Sequence, residues 1–237
     1  MNAIEVKNLC KIYNQNKPNE FHALKNINLT VKSGDLVILK GVSGSGKSTL
    51  LGILGALSKP SSGEALINGR NVSKLPDIMS SNFRHSEVGF IFQSFNLIEG
   101  LSVYQNVLAP LSLTSLKKAE LNSQIERALN LANIAHKKDQ IISKLSGGEK
   151  QRCAIARALA MDPSVILADE PTANLDKQNS LIFIEMLKKF KELKKTVVVA
   201  THDILFDDLD FVDDYVRMQD GEMLLAYFYP TLSSRFC

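Results

Sequence analysis

The sequence predicts an α/β fold built around a glycine-rich turn that joins a buried strand to a helix. The turn, residues 41–49, follows a short apolar run at 35–40 and precedes an apolar pattern with helical spacing. Three further apolar runs typical of buried strands follow, and each ends at polar or acidic residues. The chain has 237 residues, of which 45% are hydrophobic, so it is long enough to bury a large core.

The glycine-rich turn has the residue types and the G-x-x-x-x-G-K-S spacing of a phosphate-binding loop. Backbone N–H groups of such a loop bind anions at a helix N-terminus, and Lys47 adds a positive charge toward the outer phosphates. The Ser48 hydroxyl is suited to ligating Mg²⁺. A chance glycine turn is the alternative, but it does not account for the strand before the motif and the helix after it. The residues predicted to bind a nucleotide's phosphates are Gly41, Ser43, Gly44, Ser45, Gly46, Lys47, Ser48 and Thr49.

Alternating apolar and polar residues at 3–9 and 27–31 predict an antiparallel β layer ahead of the loop. Tyr13 ends the first of these runs, and an exposed aromatic ring there is able to stack on an adenine; an ordinary strand-end tyrosine is the alternative. Beyond the helix that follows the loop, a strand at 64–67 and a tight Asn-Gly turn predict a hairpin.

Helical spacing replaces the strand signal from residue 102 to residue 142. We therefore predict a helical subdomain over residues 94–160. It is inserted into an α/β core that residues 1–93 and 161–237 form.

Residues 145–149 read Leu-Ser-Gly-Gly-Glu and open an amphipathic helix within that subdomain. We call this stretch the signature segment. A serine hydroxyl, two glycine N–H groups and the positive end of a helix predict a second anion-binding site, made by Ser146, Gly147, Gly148 and Glu149. A capped helix start is the alternative, and it accounts for Ser146 but not for the paired glycines.

Three buried strands deliver polar side chains to one edge of the predicted sheet. The run at 88–92 ends at Gln93, the run at 165–168 ends at Asp169 and Glu170, and the run at 196–200 precedes His202. Ligands bind outside the carboxyl ends of parallel strands, so we expect these side chains to converge on one crevice with Lys47.

The acidic strand end predicts a metal site. In P-loop NTPases an acid at the position of Asp169 holds Mg²⁺ together with the loop hydroxyl of Ser48, and Glu170 is then placed to orient or deprotonate a water. The Gln93 amide is able to reach Mg²⁺ or that water, or is a simple strand end. Asp176, in the polar loop that follows, is equally a candidate N-cap of the next helix.

Composition and charge narrow the functional classes. The net charge is +3 and the lysine pairs are scattered, which favours solvated helix faces over a nucleic-acid site, so we expect no nucleic-acid partner. Cys10, Cys153 and Cys237 are widely separated and lack metal-ligand spacing, which favours a reducing compartment without a structural disulfide. No signal core and no membrane-spanning apolar run occur, which predicts a cytoplasmic protein that acts on a membrane only through another chain.

In the order of these motifs the chain resembles the ATP-binding subunit of ABC transporters, over nearly its full length up to about Gly221. The family's series is an adenine-stacking aromatic, the P-loop, a strand-end glutamine, the signature, an acid-tipped strand, an aspartate loop and a switch histidine. Here these elements fall on Tyr13, residues 41–49, Gln93, residues 145–149, Asp169 with Glu170, Asp176 and His202.

Three stretches, 54–57, 89–97 and 101–107, resemble the lipoprotein-release and macrolide-export branch of the family. Ala173 and an aromatic tail at 227–230 depart from the family pattern. So does the acid pair Asp213 and Asp214.

The resemblance implies a P-loop NTPase (RecA-like) core and an ATPase that uses ATP and Mg²⁺. Two such subunits, expected to be identical, pack head to tail, so that Ser146, Gly147 and Gly148 of one close on the γ-phosphate held by Lys47 of the other. Glu170 then positions the attacking water and His202 holds water and γ-phosphate in line, while Ser48, Gln93 and Asp169 share Mg²⁺.

The resemblance also implies partners. A separately encoded membrane permease would contact the segment after Gln93, which places the protein peripherally on the cytoplasmic face of the membrane. An ATPase that drives a membrane partner for signalling or cell-wall regulation, without transport, is the alternative. ABC ATPases of DNA repair carry long insertions that are not visible here, and P-loop kinases of small molecules have no use for residues 145–149.

Overall fold

The computed structural model describes residues 1–224 and contains ten strands, six α-helices and three short 3₁₀ helices; the predicted aromatic tail at 227–230 and Cys237 lie outside the described residues. The strands are β1 (Asn2–Tyr13), β2 (Phe21–Lys32), β3 (Leu36–Lys40), β4 (Ser62–Ile67), β5 (Arg70–Asn71), β6 (Val88–Ile91), β7 (Val165–Asp169), β8 (Thr196–Thr201), β9 (Asp214–Gln219) and β10 (Glu222–Leu224). The helices are α1 (Lys47–Leu54), α2 (Asp77–Ser86), α3 (Val103–Leu111), α4 (Lys118–Leu131), α5 (Gly147–Leu159) and α6 (Lys177–Glu192).

The first sheet is the antiparallel layer that the N-terminal alternation predicts. Its strand order is β2-β1-β4-β5, so the predicted hairpin of β4 and β5 joins the same sheet as the two N-terminal strands. Both N-terminal strands extend beyond the stretches, 3–9 and 27–31, in which apolar and polar residues alternate. The register of β1 against β2 shifts at several points, and alternation is lost at those irregularities.

The second sheet has the order β10-β9-β3-β8-β7-β6, and its strands are parallel except for the final β9–β10 hairpin. In β3, β7 and β8 nearly every residue is buried. Strands covered on both faces read as continuous apolar runs, which is why the sequence predicts them. Their carboxyl ends, at Lys40, Asp169 and Thr201, lie side by side.

Alternate residues of these strands enter two hydrophobic clusters on the two faces of the parallel sheet. Leu36 and Ile38 pack into a cluster with α3, α4, α5 and α6. Val37 and Leu39 pack into a cluster with α1 and the antiparallel sheet. The helices of the predicted subdomain therefore share one core with the sheet, and the boundaries at 94 and 160 stay a prediction.

One helix is absent from the prediction. In α2 only Ser80 and Phe83 are buried, whereas Ile78 is 79% exposed and Met79 is 44% exposed. Only one of its three apolar residues, Phe83, is buried, and the rest of this short stretch is polar, so it did not stand out as a core-facing helix in the sequence. Among residues 1–224, no helix combines the length and the apolar composition that a membrane crossing requires.

The two described cysteines, Cys10 and Cys153, are free thiols. Cys153 is buried in α5, and burial raises the pKa of its thiol to about 12. Because the thiolate is the reactive form, this thiol is chemically inert in the folded chain.

Candidate nucleotide-binding site

The glycine-rich loop lies between β3 and α1, as predicted, and its backbone is closely packed. Gly46 has φ +100° and is the residue before α1; a Cβ there would lie 2.7 Å from the carbonyl oxygen of Ala23. Only glycine adopts that conformation at that distance without strain. The loop is thus fixed against the start of β2 in the antiparallel sheet, which holds its N–H groups at the helix N-terminus.

Two polar side chains of the loop are buried. The Lys47 side chain is 4% exposed, and its Nζ donates to the carbonyl oxygens of Gly41 (2.7 Å) and Val42 (3.1 Å). The Ser45 hydroxyl is buried and has no hydrogen-bond partner among the described residues. A buried ammonium and an unpaired buried hydroxyl fit an anionic ligand, because unsatisfied buried polar groups are costly.

Glu170 lies between the lysine of the loop and the histidine after β8. Its Oε1 is 3.4 Å from Lys47 Nζ, and both of its carboxylate oxygens are 3.0 Å from His202 Nδ1. Its φ of +44° is in the left-handed region, which strains a non-glycine residue and is frequent at functional sites. The predicted convergence of Lys47, Glu170 and His202 is therefore present as direct contacts.

Ser48 and Asp169 form a second pair in the same crevice. The Ser48 hydroxyl donates to Asp169 Oδ1 at 2.8 Å. Burial raises the pKa of the Asp169 carboxyl, and the charge of neighbouring Glu170 raises it further. A hydroxyl and a carboxylate at hydrogen-bond distance are the oxygen ligands that Mg²⁺ takes when substrate phosphates and waters complete its shell.

No group of three or more His, Cys, Asp or Glu side chains able to hold a metal ion by itself occurs in the described part of the chain. The donor set at Ser48 and Asp169 therefore fits a metal that arrives with a phosphate ligand.

Gln93 lies near the crevice, but its side chain is not part of the contact network. β6 ends at Ile91, two residues earlier than Gln93, and the carbonyl oxygen of Gln93 accepts a hydrogen bond from Asn174 Nδ2 at 2.9 Å. The Gln93 residue is exposed, and within residues 1–224 no hydrogen bond joins its amide to Ser48 or Asp169. Its role toward Mg²⁺ stays a prediction.

The signature segment opens α5 as a capped helix start. The Ser146 hydroxyl accepts from the Glu149 N–H at 3.3 Å, and the Glu149 carboxylate accepts from the Ser146 N–H at 2.9 Å. The backbone hydrogen bond from Ser146, followed by Lys137, lowers the pKa of Glu149. The capping alternative thus accounts for Ser146 and Glu149.

The paired glycines of the signature segment differ in their surroundings. A Cβ on Gly148 would lie 2.1 Å from Asn179 Oδ1, so packing requires glycine there. A Cβ on Gly147 would meet only the carbonyl oxygen of Asn174, at 3.5 Å, which is ordinary contact. Packing explains one glycine of the pair, and the other leaves the backbone open to a ligand.

Asp176 is the N-cap of α6, as the sequence allows. Its Oδ1 accepts from the Asn179 N–H at 2.8 Å, and Asn179 Nδ2 donates to both carboxylate oxygens at 3.0 Å. Asn179 also accepts from Arg152 Nη1 at 2.8 Å, which joins α5 to α6. Sequence reasoning missed Asn179, and its only signal is its position three residues after the cap.

Tyr13 is the last residue of β1, and its side chain is 41% exposed. The Nζ of Lys11 lies 4.9 Å from the centroid of its ring. The ring is accessible and already carries a cation on one side, which is compatible with a stacked base.

Comparison with known proteins decides the family. The family model described as ABC transporter matches residues 24–173, which include the loop, the signature segment and the acidic strand end. The chain belongs to the ABC transporter family. It is an ABC ATPase subunit, and the resemblance predicted from the sequence motifs is confirmed.

Several curated relatives match nearly the whole chain. An uncharacterised ABC transporter ATP-binding protein of Thermotoga maritima is 40% identical over 224 residues, which is 93% of each protein. A putative hemin import ATP-binding protein of Staphylococcus haemolyticus is 38% identical and is matched over 94% of this chain and 100% of its own length.

Solved structures agree with the fold. A dimeric ATP-binding cassette of Methanocaldococcus jannaschii, in a post-hydrolysis state bound to ADP and Pi, has a TM-score of 0.85 and 39% identity. The alignment covers 93% of this chain and 96% of that one. The predicted ABC ATPase fold, a P-loop core with an antiparallel sheet, is thereby confirmed.

Proposed function

We propose that this ABC ATPase couples ATP-driven head-to-tail dimerisation and ATP hydrolysis to a conformational change in a separate membrane permease. The cargo class that we assign is a lipoprotein, a peptide or a drug-like molecule that is exported or extracted. The observation that carries the catalytic part is the position of Glu170, which contacts Lys47 on one side and His202 on the other.

The residues of the crevice divide the chemistry among them. The loop N–H groups, with Lys47, hold the phosphates of ATP, and Tyr13 stacks on its base. Ser48 and Asp169, together with the Gln93 amide, would hold Mg²⁺, which would supply positive charge next to the phosphates.

Glu170 accepts a hydrogen bond from the attacking water and orients it toward the γ-phosphate. His202, which contacts both carboxylate oxygens of Glu170, keeps the attacking water and the γ-phosphate in line.

A second copy of the chain completes the site in this proposal. One chain carries two anion-binding features, the loop at 41–49 and the signature segment at 145–149. Within the described residues no hydrogen bond or ion pair joins the two segments. The similar cassette from Methanocaldococcus jannaschii is dimeric. Head-to-tail pairing brings the Ser146 hydroxyl and the open backbone at Gly147 onto the γ-phosphate bound by the partner's loop.

The permease contacts the subdomain at 94–160 in this proposal. A cavity of about 340 Å³ opens at the border of that subdomain, between the ends of α1, α2 and α5, with Phe90, Phe92 and Met161 among its lining residues. Arg84 and His85 stand on its wall, so it presents apolar surface next to basic groups. Such a surface suits a cytoplasmic segment of the permease with apolar and acidic side chains. The ATPase then lies peripherally on the cytoplasmic face of the membrane.

The segment after Gln93 is held to this cavity. Arg157, which lines it, donates to the carbonyl oxygen of Phe95 at 2.7 Å and to that of Asn96. A shift of this segment when ATP closes the dimer would therefore move a wall of the cavity, which is how closure reaches the permease.

The Glu170→Gln variant tests the assignment. It keeps the shape of the side chain and removes its charge, so we expect ATP binding to persist, turnover to be lost and an ATP-bound dimer to accumulate in size-exclusion chromatography. Glu192→Gln, an exposed carboxylate in the last turn of α6, is the matched control and should hydrolyse ATP as the wild type does. Normal steady-state hydrolysis by Glu170→Gln would contradict the role of Glu170.

Transport itself is tested by reconstitution. The ATPase and its membrane partner, co-purified and placed in vesicles, should move a labelled lipoprotein, peptide or drug-like molecule only while ATP is hydrolysed. ATP hydrolysis stimulated by the partner without any movement of substrate would contradict transport and leave the ATPase assignment intact.

A further inference from the structure

We propose that Phe21 forms, with Tyr13, a two-ring platform for the base of the bound nucleotide. The inference rests on the proposed ATP site at residues 41–49 and adds a residue to it. Phe21 is the first residue of β2 and follows a polar loop, and no motif in the sequence marks it as a site residue.

The strand register places the two aromatic residues opposite each other. Tyr13 at the end of β1 pairs directly with Phe21 at the start of β2. Directly opposed residues of antiparallel strands project to the same face, with Cβ atoms about 5 Å apart. The two residues therefore project to the same face at the open end of the β1–β2 pair.

A β-bulge attaches this end of the sheet to the phosphate loop. Leu24 pairs with Lys11 and His22 pairs with Ile12, so Ala23 is the extra residue between them. The carbonyl oxygen of Ala23 is the atom that a Cβ on Gly46 would meet at 2.7 Å. Bulges re-aim neighbouring side chains and are common beside active sites. The aromatic pair is thus anchored two residues from the backbone that packs on the loop.

A second backbone contact fixes the same end of β2. Gly221, in the β9–β10 turn, donates its N–H to the carbonyl oxygen of Ser45 at 3.2 Å and accepts from the Lys25 N–H at 2.7 Å. The turn therefore bridges the phosphate loop and β2. Because both contacts are through backbone atoms, the distance from Phe21 to the loop is set by the fold and not by a flexible side chain.

The exposure and chemistry of the rings suit a base. Tyr13 is 41% exposed and Phe21 is 56% exposed, although burying an aromatic ring is favourable. The ammonium of Lys11 lies 4.9 Å from the Tyr13 ring centroid and is held by the carbonyl oxygen of Lys59 at 2.7 Å. A planar base brings a ring that stacks on such surfaces without hydrogen bonding. Phe21 has no polar atom, so its contribution depends on the base and not on the phosphates.

Isothermal titration calorimetry separates this role from a structural one. Wild type, Phe21→Ala and Phe21→Tyr are titrated with Mg²⁺–ATP and with Mg²⁺–tripolyphosphate, which has phosphates but no base. We expect Phe21→Ala to bind ATP about 3- to 10-fold more weakly and tripolyphosphate as the wild type does. Phe21→Tyr should restore ATP affinity. Leu113→Ala, at a side chain that is 84% exposed, is the control and should change neither affinity.

The other outcomes overturn the inference in distinguishable ways. Equal losses for ATP and tripolyphosphate would show that Phe21 supports the loop and does not contact the base. Unchanged ATP affinity in Phe21→Ala would show that Phe21 neither supports the loop nor contacts the base. If wild type does not bind ATP at all, the proposed function fails, and the platform fails with it.

Discussion

The side chain of Asn179 occupies the space beside Gly148 in which any other residue would place its Cβ, 2.1 Å from Asn179 Oδ1. Asn179 cannot easily move away, because Arg152 donates to its oxygen and its Nδ2 donates to Asp176. The second glycine of the signature segment is therefore coupled, within one chain, to the cap of α6 and to the loop that follows Glu170.

Replacing that glycine should destabilise the protein through steric conflict. Gly148→Ala forces the amide of Asn179 out of its hydrogen bonds, and overpacking of this kind costs about 1–3 kcal/mol of the free energy of unfolding. Urea denaturation followed by circular dichroism measures it. The double variant Gly148→Ala with Asn179→Ala removes the obstructing atoms and should recover part of the loss.

Gly147→Ala is the matched control, since its Cβ would make only an ordinary contact with the carbonyl oxygen of Asn174. Its free energy of unfolding should stay close to that of the wild type. If the two alanine variants are equally destabilised, the contact between Gly148 and Asn179 is not the cause.

A third glycine should respond in the opposite direction. Gly52 lies inside α1, has no positive φ, and a Cβ there would meet nothing within 4 Å. Glycine in a helix interior is less favourable than alanine, so Gly52→Ala should stabilise the protein by about 0.5–1 kcal/mol. Gly46→Ala, with φ +100° and Ala23 O at 2.7 Å, should destabilise it. Thermal unfolding of the two variants measures both changes: the Tm should rise for Gly52→Ala and fall for Gly46→Ala. A lower Tm for Gly52→Ala would contradict the prediction.

Much of the fold was predictable because its determinants are local. β3, β7 and β8 are covered on both faces, so each appears in the sequence as an uninterrupted apolar run. The helix α2 was not predictable, because one of its two buried residues is Ser80 and its most exposed apolar residue is Ile78.

The candidate site also contains contacts that could be predicted from the sequence and contacts that could not. The meeting of Glu170 with Lys47 and His202 follows from a rule about strand ends, so this convergence could be predicted from the sequence, while the catalytic roles of the three residues stay a prediction. Asn179 and Phe21 were not predicted as site residues. The position of Asn179 depends on how α5 packs against α6, and that of Phe21 on a register shift between β1 and β2. Such contacts have no periodic signal in the sequence.

Removal of the Lys47 charge should weaken ATP binding itself. Its ammonium is almost completely buried at the loop, where charge-assisted hydrogen bonds to phosphate are worth about 1.5–3 kcal/mol, so Lys47→Ala should reduce ATP affinity at least about 10-fold. Equilibrium titration with ATP measures it directly. Lys138→Ala, which removes a half-exposed lysine paired with Glu126, serves as the control. An unchanged ATP affinity in Lys47→Ala would contradict the phosphate-binding role of the loop.

Replacing Asp169 by asparagine should stabilise the nucleotide-free protein and reduce its ATPase activity. Burial raises the pKa of its carboxyl above the usual value, so the folded chain disfavours the ionised form. The resulting loss of stability is fully present above the folded-state pKa, shrinks as the pH falls through that pKa, and is gone below the lower pKa of the unfolded chain, where both states are protonated. Without nucleotide, Asp169→Asn should therefore have a slightly higher Tm than wild type at pH 7, and the difference should shrink toward acid pH.

The same variant should lose catalysis, since an amide is a poorer ligand for Mg²⁺ than a carboxylate. ATP hydrolysis by Asp169→Asn should fall about 100-fold or more. Asp208→Asn, at an exposed aspartate whose φ of +56° an asparagine also adopts, should change neither the Tm profile nor the rate. A lower Tm for Asp169→Asn at pH 7 would mean that the hydrogen bond from Ser48 outweighs the burial of the charge, and that the carboxylate stabilises the fold.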